Sequence, residues 1–465
     1  MNNTTIFPVW TDTNLVSRDA LHNLDAVCGR LFGDAALIVV SDERIWASEG
    51  KILEAALKGG RDYSLFLLPG SPAPYADSDL VARVRAAIGD RSALAFGSGT
   101  INDVVKLASF ELKRPYICVP TAASVDGFAA FGAAITVDGF KMTLECPAPK
   151  AILADEGILA RAPKELTAAG FGDLAAKITA GVDWLAADAA SVEPVAPEIW
   201  DMVQPFALSI LGKSAGIRRR ESAAIADLYS GLIATGLAMQ RYHDSRPASG
   251  AEHLLSHVWE MEHLSVDGIP VSHGFKVAIG TIAATIFQRA LFSLSRDEMA
   301  AAARAAAAAE TPAVAEASAR AATKAEAAGE DLLSRRLAVA ERLLAGTPIF
   351  QKVREAIRDK TLRGAALEAR RATIIKNWDS LRARASARLP EPAYLIARLK
   401  EAGCPVRLVD IGLDRESLYR GFLIASIIRK RYTTLDLADE FGLLEKLAEA
   451  ASSWDGATAV SFLTE

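Results

Sequence analysis

The sequence predicts an α/β N-terminal domain followed by an all-α C-terminal domain. Two observations carry this expectation. Between residues 35 and 155, short β-branched runs alternate with amphipathic segments, the pattern of βαβ units around a mostly parallel sheet. Beyond about residue 161 the β signal gives way to long Ala- and Leu-rich helical periodicity. The expected division is therefore 1–162 and 163–465, and a length of 465 residues leaves room for a sizeable core in each unit.

The elements follow in order. Residues 35–40 read as a buried strand, 45–58 as a helix, 64–68 as a strand and 77–88 as a helix. Residues 92–96 form a third strand that runs directly into Gly97-Ser98-Gly99-Thr100-Ile101-Asn102-Asp103, after which 104–112 has helical spacing. A fourth strand is expected at 116–119. Residues 133–137 and 140–144 flank Asp138-Gly139, a pair that favours a tight hairpin turn because both positions tolerate positive φ. Residues 151–154 close the α/β half. In the helical half, 299–330 is an Ala-rich helical insertion, expected as a solvated surface helix pair that turns at Thr311-Pro312 and carries no chemistry.

Composition excludes several classes. The chain has 52 Lys+Arg against 57 Asp+Glu, a net charge of −5, with no basic run long enough to follow a phosphate backbone, so no nucleic-acid partner is expected. The longest apolar run, residues 277–287 between Lys276 and Gln288, is too short to span a bilayer, and no membrane span is expected. The first residues lack a basic stretch followed by an apolar one, so secretion is not signalled. Cys28, Cys118, Cys146 and Cys404 form no CxxC pair, which fits a reducing compartment; the expected location is cytoplasmic.

Two polar turns follow successive strands. In Gly97-Ser98-Gly99, glycines allow a diphosphate to approach the backbone, and the N–H groups of the following helix N-terminus attract its charge. The third glycine of the dinucleotide fingerprint is replaced by Asn102. The second turn, Val119-Pro120-Thr121-Ala122-Ala123-Ser124-Val125-Asp126-Gly127, ends a strand at the same edge, where open α/β sheets bind ligands. Asp42 stands after the first strand, placed either to bind an adenosine ribose or to cap the helix that follows.

Five of the six histidines lie between residues 243 and 273. His253 and His257 are four apart and share one helix face, and His273 lies beyond a loop carrying Gly268 and Pro270. Asp173, in Gly170-Phe171-Gly172-Asp173, is a carboxylate on an apolar helix that needs a partner if buried, and a metal is one such partner. The competing reading makes Asp173 a cap and the histidines core or surface residues. A zinc-protease HExxH motif is excluded because Leu254 follows His253.

Five ordered segments now point the same way: Gly97-Ser98-Gly99-Thr100-Ile101-Asn102-Asp103, Val119-Pro120-Thr121-Ala122-Ala123-Ser124-Val125-Asp126-Gly127, Ala169-Gly170-Phe171-Gly172-Asp173, Ser245-Arg246-Pro247-Ala248-Ser249-Gly250-Ala251-Glu252-His253 and His273-Gly274-Phe275-Lys276-Val277. Together they resemble the successive motifs of the sn-glycerol-1-phosphate dehydrogenase family, which belongs with glycerol dehydrogenases, iron-containing alcohol dehydrogenases and dehydroquinate synthases. The resemblance covers about residues 20–290, with a weaker echo near 408–437. It implies a dehydroquinate synthase-like two-domain fold, with a nucleotide-binding α/β domain, a helical metal- and substrate-binding domain and an active site in the cleft between them. It also implies that Gly97, Ser98, Gly99, Thr100 and Ile101, with Thr121, Ala122, Ala123 and Ser124, hold NAD or NADP. Asp173, His253 and His273 would bind one divalent ion, zinc or nickel, with iron accepted by the same donors. Asp126 and His257 match substrate-contacting, catalytic positions. A serine common in the family is Ala130 here, which removes one hydroxyl from the cofactor's surroundings.

The expected reaction is reversible reduction of dihydroxyacetone phosphate to sn-glycerol 1-phosphate by a homodimeric enzyme, with Lys106, Lys177, Arg246 and Lys276 as candidates for holding the substrate phosphate, the alternative for each being a solvated charge. The rivals are a polyol or glycerol dehydrogenase acting on a substrate without phosphate, a cyclising lyase of the dehydroquinate synthase kind, and a catalytically silent nucleotide sensor.

Overall fold

The computed structural model describes residues 6–57, 61–137, 140–310 and 331–454. The α/β half contains strands β1 (Thr13–Ser17), β2 (Leu37–Asp42), β3 (Tyr63–Leu68), β4 (Ser92–Gly97), β5 (Tyr116–Pro120), β6 (Ala133–Val137), β7 (Phe140–Leu144) and β8 (Ala151–Asp155). Six of them form one sheet in the order β1-β8-β5-β4-β2-β3, with every pairing parallel. β6 and β7 make a separate antiparallel pair, and their Asp138-Gly139 connection lies outside the described residues.

Helices α1 (Leu24–Phe32), α2 (Glu43–Ala56), α3 (Ser78–Ile88), α4 (Gly99–Glu111) and α5 (Glu156–Arg161) accompany this sheet. Alternation along β2 explains the layering. Leu37 and Val39 pack with Leu24, Val27 and Cys28 of α1 and Leu53 of α2. Ile38 and Val40 face the opposite side, with Val84 of α3 and Val104 of α4. The strands and helices expected from 35 onward are present. β1 and α1 are additional, because Thr-Asn-Leu-Val-Ser lies half-exposed at a sheet edge and carries little apolar signal.

The chain steps outward from β2 to β3, then returns to place β4 on the other side of β2. The direction of winding therefore reverses between β2 and β4. At such a switch point the connections diverge and leave a crevice outside the strands' carboxyl ends. Asp42 and Gly97, the last residues of these neighbouring strands, border it.

The remaining helices are α6 (Lys164–Ala175), α7 (Lys177–Ala189), α8 (Pro197–Ile210), α9 (Ser214–Arg218), α10 (Ser222–Tyr242), α11 (Ala251–Met261), α12 (His273–Ser293), α13 (Arg296–Glu310), α14 (Leu332–Leu344), α15 (Phe350–Lys360), α16 (Gly364–Arg388), α17 (Pro392–Ala402), α18 (Arg415–Ala425), α19 (Thr434–Glu440) and α20 (Leu444–Ser452). The all-α expectation holds apart from one hairpin between α11 and α12, β9 (Ser265–Val266) with β10 (Ile269–Pro270). Its turn residues Asp267 and Gly268 have φ of 51° and 77°, matching a type I′ turn.

Two expectations need correction. The apolar run at 277–287 is the middle of the 21-residue α12. By length and composition α10 and α12 could each cross a membrane, but 61% and 83% of their most apolar windows are buried inside the protein, so both serve as core helices. The beginning of the Ala-rich segment is α13, which is not wholly solvated: Met299, Ala303 and Ala306 are buried along one face, and Glu310 pairs with Arg371 at 2.8 Å. Residues 311–330, including Thr311-Pro312, lie outside the described residues.

Candidate metal centre and dinucleotide crevice

Three helices meet where the sheet's carboxyl edge faces the helical half. α6 comes so close to the loop after β5 that a Cβ on Gly170 would stand 1.9 Å from the Ala123 carbonyl oxygen. α12 approaches α6 in the same way, with a Cβ on Gly274 falling 2.1 Å from the Ala169 oxygen. α12 also touches α11, where a Cβ on Gly280 would stand 2.5 Å from the Glu252 carbonyl oxygen. Small residues thus let three backbones converge, and the side chains beyond the contacts meet in one place.

Those side chains are Asp173, His253 and His273, each offering one ligand atom within 4.8 Å of the others. Asp173 is fully buried, His253 nearly so, and His273 is half-buried. The two imidazole rings are 5.4 Å apart between centroids. Each ring is oriented from its far side by a carboxylate: His253 Nδ1 lies 2.8 Å from Glu252 Oε1, and His273 Nδ1 lies 2.8 Å from Glu260 Oε1. A carboxylate requires the proton on Nδ1, which leaves the Nε2 lone pairs free as metal donors. An acid and two neutral imidazoles with room for further donors suit a catalytic divalent ion.

Carboxylates outnumber cations at the site: Asp126, Asp173, Glu252 and Glu260 stand around it against Lys177 and Lys276. Burial alone would raise the Asp173 carboxyl, but the Lys177 ammonium at 2.7 Å and His253 outweigh it and hold the group well below the ordinary carboxylate range. Burial likewise opposes the charge on Lys177, and Asp126 and Asp173 overcome it. Burial and the Lys177 charge oppose a charged His253, but without a metal its bonds to Asp173 and Glu252 outweigh them and raise it; a metal on Nε2 would replace that proton and leave the ring a neutral donor. His257 behaves differently. Desolvation pushes it down to about 4 against the pull of Glu260, and the positive charges of Arg429 and His253 add to the effect, so its ring is neutral at pH 7.

Asp126 links the two halves. Its N–H donates to Asp173 Oδ2 at 3.0 Å and its carboxylate meets Lys177 at 2.7 Å. The lysine therefore already partners Asp173, beside the metal that the sequence offered as one possible partner. None of the four phosphate candidates is available in that role. Lys106 donates to the carbonyls of Gly127, Ala130 and Gly132 at 2.9–3.0 Å. Arg246 binds Glu193 and the Tyr432 carbonyl, and Lys276 the Val271 carbonyl. All four are buried, so the alternative of a solvated charge fails as well.

At the crevice, a Cβ on Gly97 would stand 2.6 Å from the Ile101 side chain, which restricts that turn to glycine. Ser98 precedes α4 without a side-chain cap, and the first N–H groups of the helix are left for a ligand. Thr121 N–H donates to the Gly97 carbonyl at 3.0 Å and ties the two expected loops together; Thr121, Ala122, Ala123 and Ser124 are buried beside them. Thr100 is half-buried and Ile101 fully buried on the first turn of α4. Asn102, in place of the third glycine, accepts from the Tyr116 hydroxyl at 3.0 Å and so anchors α4 to β5. Asp42 caps α2, accepting from the N–H groups of Arg44 and Ile45 at 2.9 and 3.1 Å, the second of its two expected roles.

Glu252, Glu260 and Asp183 are the residues that sequence reasoning missed. Adjacency to His253 and a three-residue step from His257 were the signals for the first two. Asp183 had none, since its partners Ala251 and Thr434 are 68 and 251 residues away.

Comparison with known proteins gives the same picture. The family model described as iron-containing alcohol dehydrogenase matches residues 15–163. A glycerol-1-phosphate dehydrogenase [NAD(P)+] of Halalkalibacterium halodurans is 37% identical over 249 residues, covering 52% of this chain and 62% of that protein. The corresponding protein of Geobacillus thermodenitrificans is 35% identical over 290 residues, covering 60% of this chain and 70% of its own length. The crystal structure of NADH-dependent butanol dehydrogenase A from Thermotoga maritima superposes with a TM-score of 0.56 at 14% identity, covering 96% of this chain and 98% of the other, which speaks to the fold alone. With its crevice, its ordered motifs and these relatives, the chain belongs to the glycerol-1-phosphate dehydrogenase family.

Proposed function

We propose that this protein is a metal-dependent, NAD(P)-linked oxidoreductase that reversibly reduces dihydroxyacetone phosphate to sn-glycerol 1-phosphate. The observation that carries the reading is the convergence of His253, His273 and Asp173, with both imidazoles turned to present Nε2 by buried carboxylates. These three residues would hold one divalent ion, zinc, nickel or iron. When bound, such an ion supplies Lewis acidity for an oxygen that gains negative charge during hydride transfer. Residues 97–101 and 121–124 would hold the dinucleotide, with Asp42 beside its ribose end.

The chain's own groups then divide the work. Lys177 keeps Asp173 ionised and holds Asp126 in register with it. Asp126, partly exposed at 15%, is placed to accept from a substrate hydroxyl. His257, neutral and held by Glu260 at Nδ1, accepts or relays a proton at Nε2 more readily than it donates one as an acid. A homodimer and a cytoplasmic location belong to the same proposal; the four buried, unpaired cysteines support a reducing compartment.

A polyol dehydrogenase acting on a substrate without phosphate gains support from one observation: all four expected phosphate-binding side chains are committed inside the protein. Paired assays with dihydroxyacetone and dihydroxyacetone phosphate separate the two readings. His253→Ala and His273→Ala are each expected to remove the bound metal and the turnover together; turnover persisting in metal-free variants would falsify the mechanism.

A further inference from the structure

One short stretch of chain joins the dinucleotide crevice to the candidate metal centre. Residues 126–132 follow the loop after β5 as a single 3₁₀ turn, Asp126–Phe128, and continue to β6 without regular structure. Within the stretch, Ala130 N–H reaches the Gly127 carbonyl only at 3.4 Å. Side chains of two neighbouring helices hold it instead. Lys106 of α4, with none of its side chain exposed, donates to the carbonyls of Gly127, Ala130 and Gly132 at 2.9, 3.0 and 2.9 Å. An ammonium has three N–H groups, so this cation is committed to the stretch, with Asp103 as its counter-charge at 3.4 Å. From the opposite side Gln240 of α10 donates to the Ala129 carbonyl at 2.5 Å, and a Cβ on Gly236 would stand 2.8 Å from the Asp126 carbonyl oxygen.

The stretch begins with Asp126, whose N–H meets Asp173 at 3.0 Å and whose carboxylate meets Lys177 at 2.7 Å. α4 begins about two turns before Lys106, with the N–H groups that face the crevice. One helix thus turns its N-terminus to the dinucleotide and, farther along, grips the chain that carries Asp126. Burying a lysine is costly, and a methionine of similar length would fill the same space without that cost. What the ammonium adds is direction, because it fixes three carbonyls together and with them the path of the backbone at Asp126.

We propose that Lys106 is a positioning residue for the reaction: it fixes Asp126 relative to the dinucleotide helix, so that a substrate hydroxyl held by Asp126 is aligned with the cofactor. The inference rests on the proposed reaction and on Asp126 as a substrate contact, and the test separates the three. Steady-state kinetics with dihydroxyacetone phosphate and with dihydroxyacetone are measured on the full-length, metal-loaded protein, using NADH or NADPH, whichever the wild type uses better. The set is wild type, Lys106→Met, Asp126→Asn and the double variant, with metal content and the Kd for the dinucleotide measured in each.

Lys106→Met is expected to lower kcat/KM about 10- to 100-fold, as displacement of a contact by about 1 Å does. Its metal content and its Kd for the dinucleotide should stay at the wild-type values. Because Lys106 acts through Asp126, the double variant should be no worse than Asp126→Asn alone. Losses that multiply in the double variant mark a lysine that only stabilises the fold and overturn the inference. A Kd for the dinucleotide that weakens in step with kcat/KM overturns it as well, since the damage then lies in the crevice. If Lys106→Met loses its native circular dichroism or its metal, Lys106→Gln, which keeps two N–H donors, takes its place in the same comparison. An active wild type with an unimpaired Asp126→Asn overturns the substrate contact of Asp126 and the role of Lys106 together, leaving the reaction intact. A wild type that reduces neither substrate overturns the reaction and the inference with it.

Discussion

At the scale of single residues, the chemistry of the centre depends on which nitrogen of each imidazole faces inward, and Glu260 decides this for two rings at once. Its Oε1 takes His273 Nδ1 at 2.8 Å and its Oε2 approaches His257 Nδ1 at 3.3 Å. In Glu260→Gln only one acceptor oxygen remains, so one ring loses its anchor and the negative charge behind both disappears. Metal affinity in this variant is expected to fall about 10- to 100-fold, measured by chelator competition, with secondary structure unchanged by circular dichroism. An unaltered affinity would show that Glu260 does not orient His273. Histidine clustering made the centre legible in the sequence, because the four-residue step from His253 to His257 is local. The lysines and Arg246 were misread for a complementary reason. Whether a cation beside a motif is free or spent on carbonyls depends on chain segments far away, as Lys106 with its three carbonyl partners shows.

At the scale of elements, the N-terminus of α11 is held by a carboxylate from α7. Asp183 Oδ2 accepts from Ala251 N–H at 2.6 Å, and Oδ1 takes the N–H and hydroxyl of Thr434 and the amide of Gln288, joining α7, α11, α12 and α19. Burial, reinforced by the Glu252 charge, pushes Asp183 up to about 6. A carboxyl raised on folding holds its proton more tightly in the native state. Its contribution to stability is therefore full below the ordinary carboxylate range and is lost as pH rises through about 6. Asp183→Asn removes that component. The difference in Tm between wild type and variant, both metal-free, is expected to be larger at pH 4.5 than at pH 7 in the wild type's favour. Equal differences at the two pH values would mean that Asp183 ionises normally. The helices themselves were readable from periodicity, and so were the two glycine-bearing motifs. That Gly170 and Gly274 are contact points was not, because a close approach is a property of two helices and only one is visible in any local pattern.

At the scale of the whole molecule, the α/β and helical halves were legible as a change of period near residue 160, whereas their fusion was not. One apolar cluster runs without a break from Ile38, Val40 and Cys118 in the sheet through Leu174 and Phe171 of α6 to Phe287, Trp378 and Leu435 deep in the helical half. The candidate metal centre sits on this shared core, with Asp126 contributed from one side and Asp173, His253 and His273 from the other. Ligand binding should therefore stabilise both halves, since unfolding either one removes part of the site. A metal present at 100 times its Kd contributes about 2.7 kcal/mol to any opening that destroys its site. Hydrogen exchange in moderate urea tests where that stabilisation appears. Peptides from β4 and β5 are expected to gain the same protection on metal addition as peptides from α11 and α12. Protection confined to the helical peptides would mean that the sheet opens while the centre survives, and that the continuous core does not couple the two halves.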